Sequence, residues 1–454
     1  MQLVIRSSRV VLPDGVRPAT VAVSAGRIER VAPVDTEIDA DTEIDAGDSV
    51  VMAGLVDTHV HVNDPGRADW EGFESAGRAA AAGGTTTIVD MPLNSSPVTT
   101  TVAALEAKVA AAGGACLVDY GFWGGIVPGN LEELVGLLDA GVLGFKAFLV
   151  PSGIDDFPPV DDAMLGAAMA AVTRRGAPVL VHAEDAGELA GLDLAERIGS
   201  HAAWLASRPA SAEARAVARV ASLSGRTRAP AHVVHVSSAE ALDEIRRAKS
   251  AGIPLTAETC PHYLSFVSDD VAEGDTRFKC APPIREAGHR DAIWLGLRDG
   301  TLDLVASDHS PCPPALKPAG DFGGAWGGIA GLELRLPATW TEARRRGHSL
   351  AENARWLAEA PASLAGLSER KGRITPGLDA DLVVWDPERE FEVEARTLHQ
   401  RHCANPWEGR TLAGVVETTI LRGRVVYERG SFPESADGRW LAGRAGAAAA
   451  RRTG

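Results

Sequence analysis

Six residues scattered along this chain have the chemistry to hold metal ions. His59 and His61 alternate at the end of an apolar run, VMAGLVDTHVHV over 51–62. In an extended strand both side chains leave the same face. His182 falls near the end of APVLVHAE (177–184), His235 near the end of APAHVVHVS (229–237), and Asp308 near the end of LDLVASDHS (302–310). Lys146 sits inside GVLGFKAFLV (141–150), an otherwise apolar run. Imidazole and carboxylate together suit zinc, cobalt, manganese or iron.

Lys146 needs a separate argument. A buried ammonium beside cations is poorly solvated and repelled, and both effects lower its pKa. A neutral amine can take up CO₂ to form a carbamate, whose two oxygens can bridge metals about 3.5–4 Å apart. Pairing of Lys146 with a carboxylate is the competing reading, and the apolar GFKAFLV context disfavours it.

A lone histidine on a strand is more often a hydrogen-bonded core residue than a ligand. His201, His289, His348, His399 and His402 are read that way. His232, three residues before His235, is expected on the opposite strand face and is read as structural. Four histidines and an aspartate at strand ends, with a lysine buried in a strand, form a far more specific pattern.

The elements that must position these residues recur regularly. Eight candidate strands (51–62, 85–92, 115–123, 141–150, 177–184, 229–237, 254–263 and 302–310) alternate with Ala-rich segments at helical spacing, such as AEARAVARVASLSG. Repeated βα units of this kind predict a (β/α)₈ barrel over 51–365, whose active site lies at the C-terminal strand ends. Residues 1–50 and 377–430 instead alternate apolar and polar positions, and 1–50 and 366–430 are expected to form one small β-sandwich built from both ends of the chain. The Gly- and Pro-rich stretch 313–340 predicts a loop near the barrel mouth, and 431–454 a tail that ends frayed.

Bulk properties exclude other classes. With 45 Lys+Arg against 61 Asp+Glu the net charge is −16, which repels phosphate backbones and anionic membranes, so neither nucleic acid nor membrane is an expected partner. Five cysteines without a C-x-x-C pair predict free thiols in a reducing compartment. The N-terminus lacks the pattern of a secretory signal, and no run approaches the ~20 apolar residues of a membrane span. A cytoplasmic protein is expected.

The whole chain resembles the cyclic amidohydrolases: dihydroorotases, hydantoinases and allantoinases. The resemblance runs from DTHVH through SDHSPCPP to GRITPGLDADLVVWD. It implies that His59, His61 and Asp308 bind one metal, and His182 and His235 a second. Lys146 as N6-carboxylysine and a hydroxide would bridge them. Asp308 would take the proton from the hydroxide as it attacks and pass it to the leaving ring nitrogen. Relatives also imply zinc as the metal and a homotetramer.

Within the family, dihydroorotases carry an Arg where this chain has Asn63, and hydantoinases a Tyr where it has Pro151. DPGRADWEGFESAGRAAAAGG, MPLNSSP, FLVPSGIDDFP and AWGGIAGLE resemble the allantoinase branch, which implies hydrolysis of allantoin to allantoate. Arg67, Asn94 and Ser152 are the expected polar contacts for a ureido-bearing ring. Ala281 departs from a Ser that many relatives place near the substrate. Two other readings stay open here. A hydantoinase or dihydropyrimidinase would share every metal residue, while noncatalytic dihydropyrimidinase-like scaffold proteins typically lose ligands that this chain keeps.

Overall fold

The computed structural model describes residues 1–189 and 199–443. Parallel strands form a barrel: Leu55–Val60, Thr85–Asp90, Asp119–Phe122 running on into Gly124–Gly125, Phe145–Phe148, Val179–His182, Ala231–Val233, Leu255–Thr259 and Leu304–Val305. Each pairs with its sequence neighbour. The ring closes where Val60 bridges His309. There the His61 N–H donates to the His309 carbonyl at 2.8 Å, and the His309 N–H to that of His59 at 3.2 Å. Closure therefore sets the ends of the first and last strands side by side.

Arg335 clamps the same seam from within. Its buried guanidinium donates to the carbonyls of Val56 at 2.8 Å and Val305 at 3.2 Å, and lies 3.4 Å from Asp57. Helices such as Val102–Ala112, Asp162–Val172, Ala210–Thr227 and Ala239–Ser250 connect the strands. Their alanines cost little side-chain entropy. Thr101, Asp161 and Ser238 each cap a helix by accepting the N–H three residues on. Ala216, Val217, Val220 and Leu223 form a buried stripe at helical spacing along Ala210–Thr227.

Both ends of the chain meet in one eight-stranded sheet. Val50–Ala53 is the joint, pairing antiparallel with Leu382–Trp385 and parallel with Arg9 and Val10. The two-residue hairpin loops Ala25-Gly26 and Arg422-Gly423 have positive φ at both positions, matching the right-handed twist of their strands.

Three expectations differ from what is found. The run 51–62 is two strands, one in the sheet and one in the barrel, separated at Gly54. A Cβ there would come within 2.4 Å of the Thr86 side chain, so only glycine passes. The non-helical stretch expected over 313–340 ends earlier, because Arg335–Arg345 is helical. Of the expected tail, residues 438–443 lie against the barrel, with the Leu441 N–H donating to the Tyr120 carbonyl at 2.7 Å. Residues 444–454, expected to fray, lie outside the described residues. Among the described residues no helix is long and apolar enough to cross a membrane, and the five cysteines carry no disulfide.

Candidate metal centre

Strand ends bring the six candidate residues to one cavity of about 330 Å³, whose wall includes His59, His61, Lys146, His182, His235 and Asp308. His59 Nε2 lies 3.0 Å from Asp308 Oδ1 and His61 Nε2 3.6 Å from it. One donor atom from each of these three residues falls within 4.8 Å of the others, close enough to share a cation. The rings of His182 and His235 form a second group, with centroids 4.5 Å apart. His182 stacks on Phe148 at 4.7 Å, and His59 links the groups at 5.5 Å from His235.

Backbone strain marks two of these positions. His235 (φ 40°) and Asp308 (φ 46°) adopt the left-handed region that L-residues seldom enter. Both lie just beyond their strands, and such strain clusters at functional sites.

Lys146 is fully buried, and its Nζ has no hydrogen-bond partner among the described residues. It sits 4.9 Å over the Phe148 ring. Burial pulls its pKa down to about 8, against the opposing pull of Asp308 and Glu258, so the neutral amine is accessible near physiological pH. An orphaned buried amine is costly as it stands. Conversion to a carbamate beside cations would remove that cost, so the donor set fits a pair of metals.

Two carboxylates behind the histidines complete the arrangement. Glu258 accepts from His59 Nδ1 at 2.6 Å and from His232 Nε2 at 3.0 Å. Glu184 accepts from His182 Nε2 at 2.6 Å and also pairs with Arg208. A carboxylate only accepts, so these bonds place protons on His59 Nδ1 and His182 Nε2 and direct the opposite nitrogens elsewhere. Burial would raise both carboxyl pKa values. Arg208 and His182 outweigh it at Glu184, and His59 and His232 at Glu258, holding each at about 2.

The same charges tune the ligands. At His59 burial is opposed by Asp308 and Glu258, which push the imidazole up to about 9. A cation at Nε2 needs the neutral ring, so metal uptake and proton loss at His59 are coupled. Burial lowers His61 to about 4, with His59 and Lys146 adding to the effect. Asp308 is likewise desolvated, but the charge of His59 and hydrogen bonds from His59 and His61 hold it well below the usual carboxylate range.

Sequence reasoning missed Glu184 and Glu258. The available signal was an acidic residue inside or just after an apolar strand, in VLVHAE and PLTAETC. His232 is structural in its bonding, yet it reaches the same Glu258 as His59. Strand parity fails here because His235 lies outside Ala231–Val233 in a left-handed conformation. The remaining set-aside histidines lie elsewhere: His348 bonds Glu352, His399 bonds Glu333, His402 bonds the Asp69 carbonyl, His289 accepts from the Ala239 N–H, and His201 packs on Phe322.

Of the expected substrate contacts, Asn94 and Ser152 line the cavity and Arg67 does not. Asn94 Nδ2 is 3.4 Å from His61 Nδ1, and its buried Oδ1 has no partner among the described residues. Ser152 Oγ already donates to the Phe157 carbonyl at 2.6 Å. Arg67 instead donates to the Asn94 carbonyl at 2.9 Å and covers Trp70, which meets Trp326 edge-on. It shapes the wall rather than forming it. Trp326 and Gly323–Gly327 of the Gly-rich loop close one side, held by Lys279, which donates to the carbonyls of Gly323 at 3.0 Å and Ala325 at 2.6 Å. Pro151 and Ala281 also line the cavity.

The chain is similar over nearly its whole length to proteins of known kind. Residues 50–426 match the amidohydrolase family. The allantoinase of Streptomyces avermitilis is 50% identical, over 96% of this chain and 97% of that protein. The allantoinases of Arabidopsis thaliana and Saccharomyces cerevisiae are 44% and 39% identical, over 96% and 93% of this chain and 90% and 95% of theirs. Among solved structures, the L-hydantoinase (dihydropyrimidinase) of Arthrobacter aurescens superposes with a TM-score of 0.92 at 32% identity, covering 97% of this chain and 99% of that one. That likeness extends to the barrel and the β-rich domain beside it. This chain belongs to the amidohydrolase family.

Proposed function

We propose that this chain is an allantoinase, opening the hydantoin ring of allantoin by hydrolysis to give allantoate. The observation that carries the reading is the convergence of His59, His61, Lys146, His182, His235 and Asp308 on one cavity. Kinship with three allantoinases across the chain supports allantoin as the substrate.

His59, His61 and Asp308 would hold one divalent cation and His182 and His235 a second, with carboxylated Lys146 between them. Zinc fits this donor set, and cobalt, manganese and iron share it. When bound, the cations supply Lewis acidity and lower the pKa of water, which is otherwise too weak a nucleophile for an unstrained amide. Asp308 is the base: its low pKa keeps it ionised, free to accept the proton of the attacking water and deliver it to the ring nitrogen. The water oxygen joins the ring carbonyl carbon, the C–N bond breaks, and an N–H and a carboxylic acid result, the acid losing its proton to solvent at neutral pH. Glu258 and Glu184 hold His59 and His182 in orientation. Asn94, with an unpaired Oδ1 at the wall, is placed to read a ureido N–H.

Ring choice then falls to the walls, because close relatives share the metal residues. Asn63 offers no guanidinium to the carboxylate of dihydroorotate, and Pro151 replaces the hydantoinase Tyr. Leaving a buried polar group such as Asn94 Oδ1 unmatched penalises a substrate that lacks the ureido group. On one metal-loaded preparation, kcat/KM for allantoin should exceed those for dihydrouracil, a 5-substituted hydantoin and dihydroorotate by at least about 10²-fold. A hydantoin or dihydrouracil turned over faster than allantoin makes the chain a hydantoinase instead.

A further inference from the structure

Asp308 belongs to a second group of donors. One ligand atom each from Cys260, His262 and Asp308 lies within 4.8 Å of the other two. Cys260 and His262 follow the seventh barrel strand, at the start of the short helix Pro261–Ser265. Both are fully buried, and neither is part of the cavity wall described above.

His262 is the unusual member. Neither of its ring nitrogens has a hydrogen-bond partner among the described residues, although the side chain is 1% exposed. A buried imidazole without a partner is costly, so a ligand bound by His262 would relieve that cost. A thiol ligates a cation as the thiolate, so binding at Cys260 releases a proton.

We propose that Cys260, His262 and Asp308 form an accessory site for a soft divalent cation, such as excess zinc or cadmium, and that filling it inhibits the enzyme. The sulfur, nitrogen and oxygen donors suit zinc and softer ions better than the imidazole and carboxylate donors of the main centre do. On binding, the Cys260 S–H bond breaks, its proton passes to water and a sulfur–metal bond forms. With one Asp308 oxygen on the main-centre cation and the other on the accessory cation, neither would be left to accept a proton. The inhibitory part rests on the base role of Asp308 proposed above.

The test is a cadmium chloride titration of the zinc-loaded enzyme in a Cys403→Ser background, because Cys403 is an exposed thiol. Zinc per chain is measured before and after. The expected result is a sulfur-to-cadmium charge-transfer absorption that saturates at one cadmium per chain, with zinc retained and kcat falling in parallel. Cys260→Ser should lack the absorption, and both Cys260→Ser and His262→Asn should need at least about tenfold more cadmium for the same inhibition. Basal kcat should be unchanged in both variants. Absence of the absorption in the parent protein overturns the proposal, whatever the variants do, as does equal inhibition of parent and variants. Fewer than two zinc ions per chain before titration would count against the two-metal reading instead.

Discussion

Lys146→Ala should lose most of its bound metal and nearly all of its activity. The residue is fully buried with its Nζ unpartnered, in the cavity wall that it shares with the His59–His61–Asp308 group and the His182–His235 group. As a carbamate it would be the anionic ligand common to both cations. Changes to groups that merely orient ligands cost about 10–100-fold in metal affinity or activity, so loss of a shared ligand should exceed that range. Alanine also leaves space where the side chain was. Short carboxylic acids should enter it, stand in for the missing carbamate and restore part of the activity. Metal content by elemental analysis and kcat with and without acetate or propionate provide the check. Fully active wild-type protein whose intact mass shows no added CO₂ would refute the bridging role.

Asp308→Asn should separate metal binding from proton transfer. The amide oxygen can still face a cation, but the side chain cannot accept a proton at neutral pH. General acid–base transfer typically contributes about 10²–10⁴-fold, so kcat should fall by at least that factor while some metal remains. The structure supports this division. His59 and His61 lower the Asp308 pKa despite burial, which keeps the wild-type carboxylate ionised and ready. Near wild-type turnover in Asp308→Asn would remove the residue from the proton path and would also undercut the accessory-site inhibition.

What the sequence revealed, and what it hid, follows from the physics of each signal. Polar residues at the ends of apolar runs stand out in one dimension, which is why His59, His61, Lys146, His182, His235 and Asp308 could be named before any fold was known. The barrel was legible for a similar reason, since βα units repeat. Long-range partners leave no such mark. Glu258 holds His59 from the seventh barrel strand, 199 residues away in sequence, and no local spacing links the two. Conformation was hidden as well. Only the left-handed backbone at His235 shows why counting three residues back to His232 misassigns its face. The boundary at Gly54 was invisible because both flanking strands are buried and the residues next to it, Val50–Ala53 and Leu55-Val56, are alike apolar. Arg67 looked like a substrate contact from its type and neighbours, yet its guanidinium is occupied by the Asn94 carbonyl and the Trp70 ring.

The central claim is that this chain opens the allantoin ring, and the most direct measurement is identification of the product. Metal-loaded protein should be incubated with allantoin and the mixture followed by ¹³C NMR and mass spectrometry. The account predicts one product heavier by one water, with a new carboxylate carbon, both ureido groups intact and no release of ammonia or urea. Unchanged allantoin, or release of ammonia or urea in place of a ring-opened carboxylate, would contradict it.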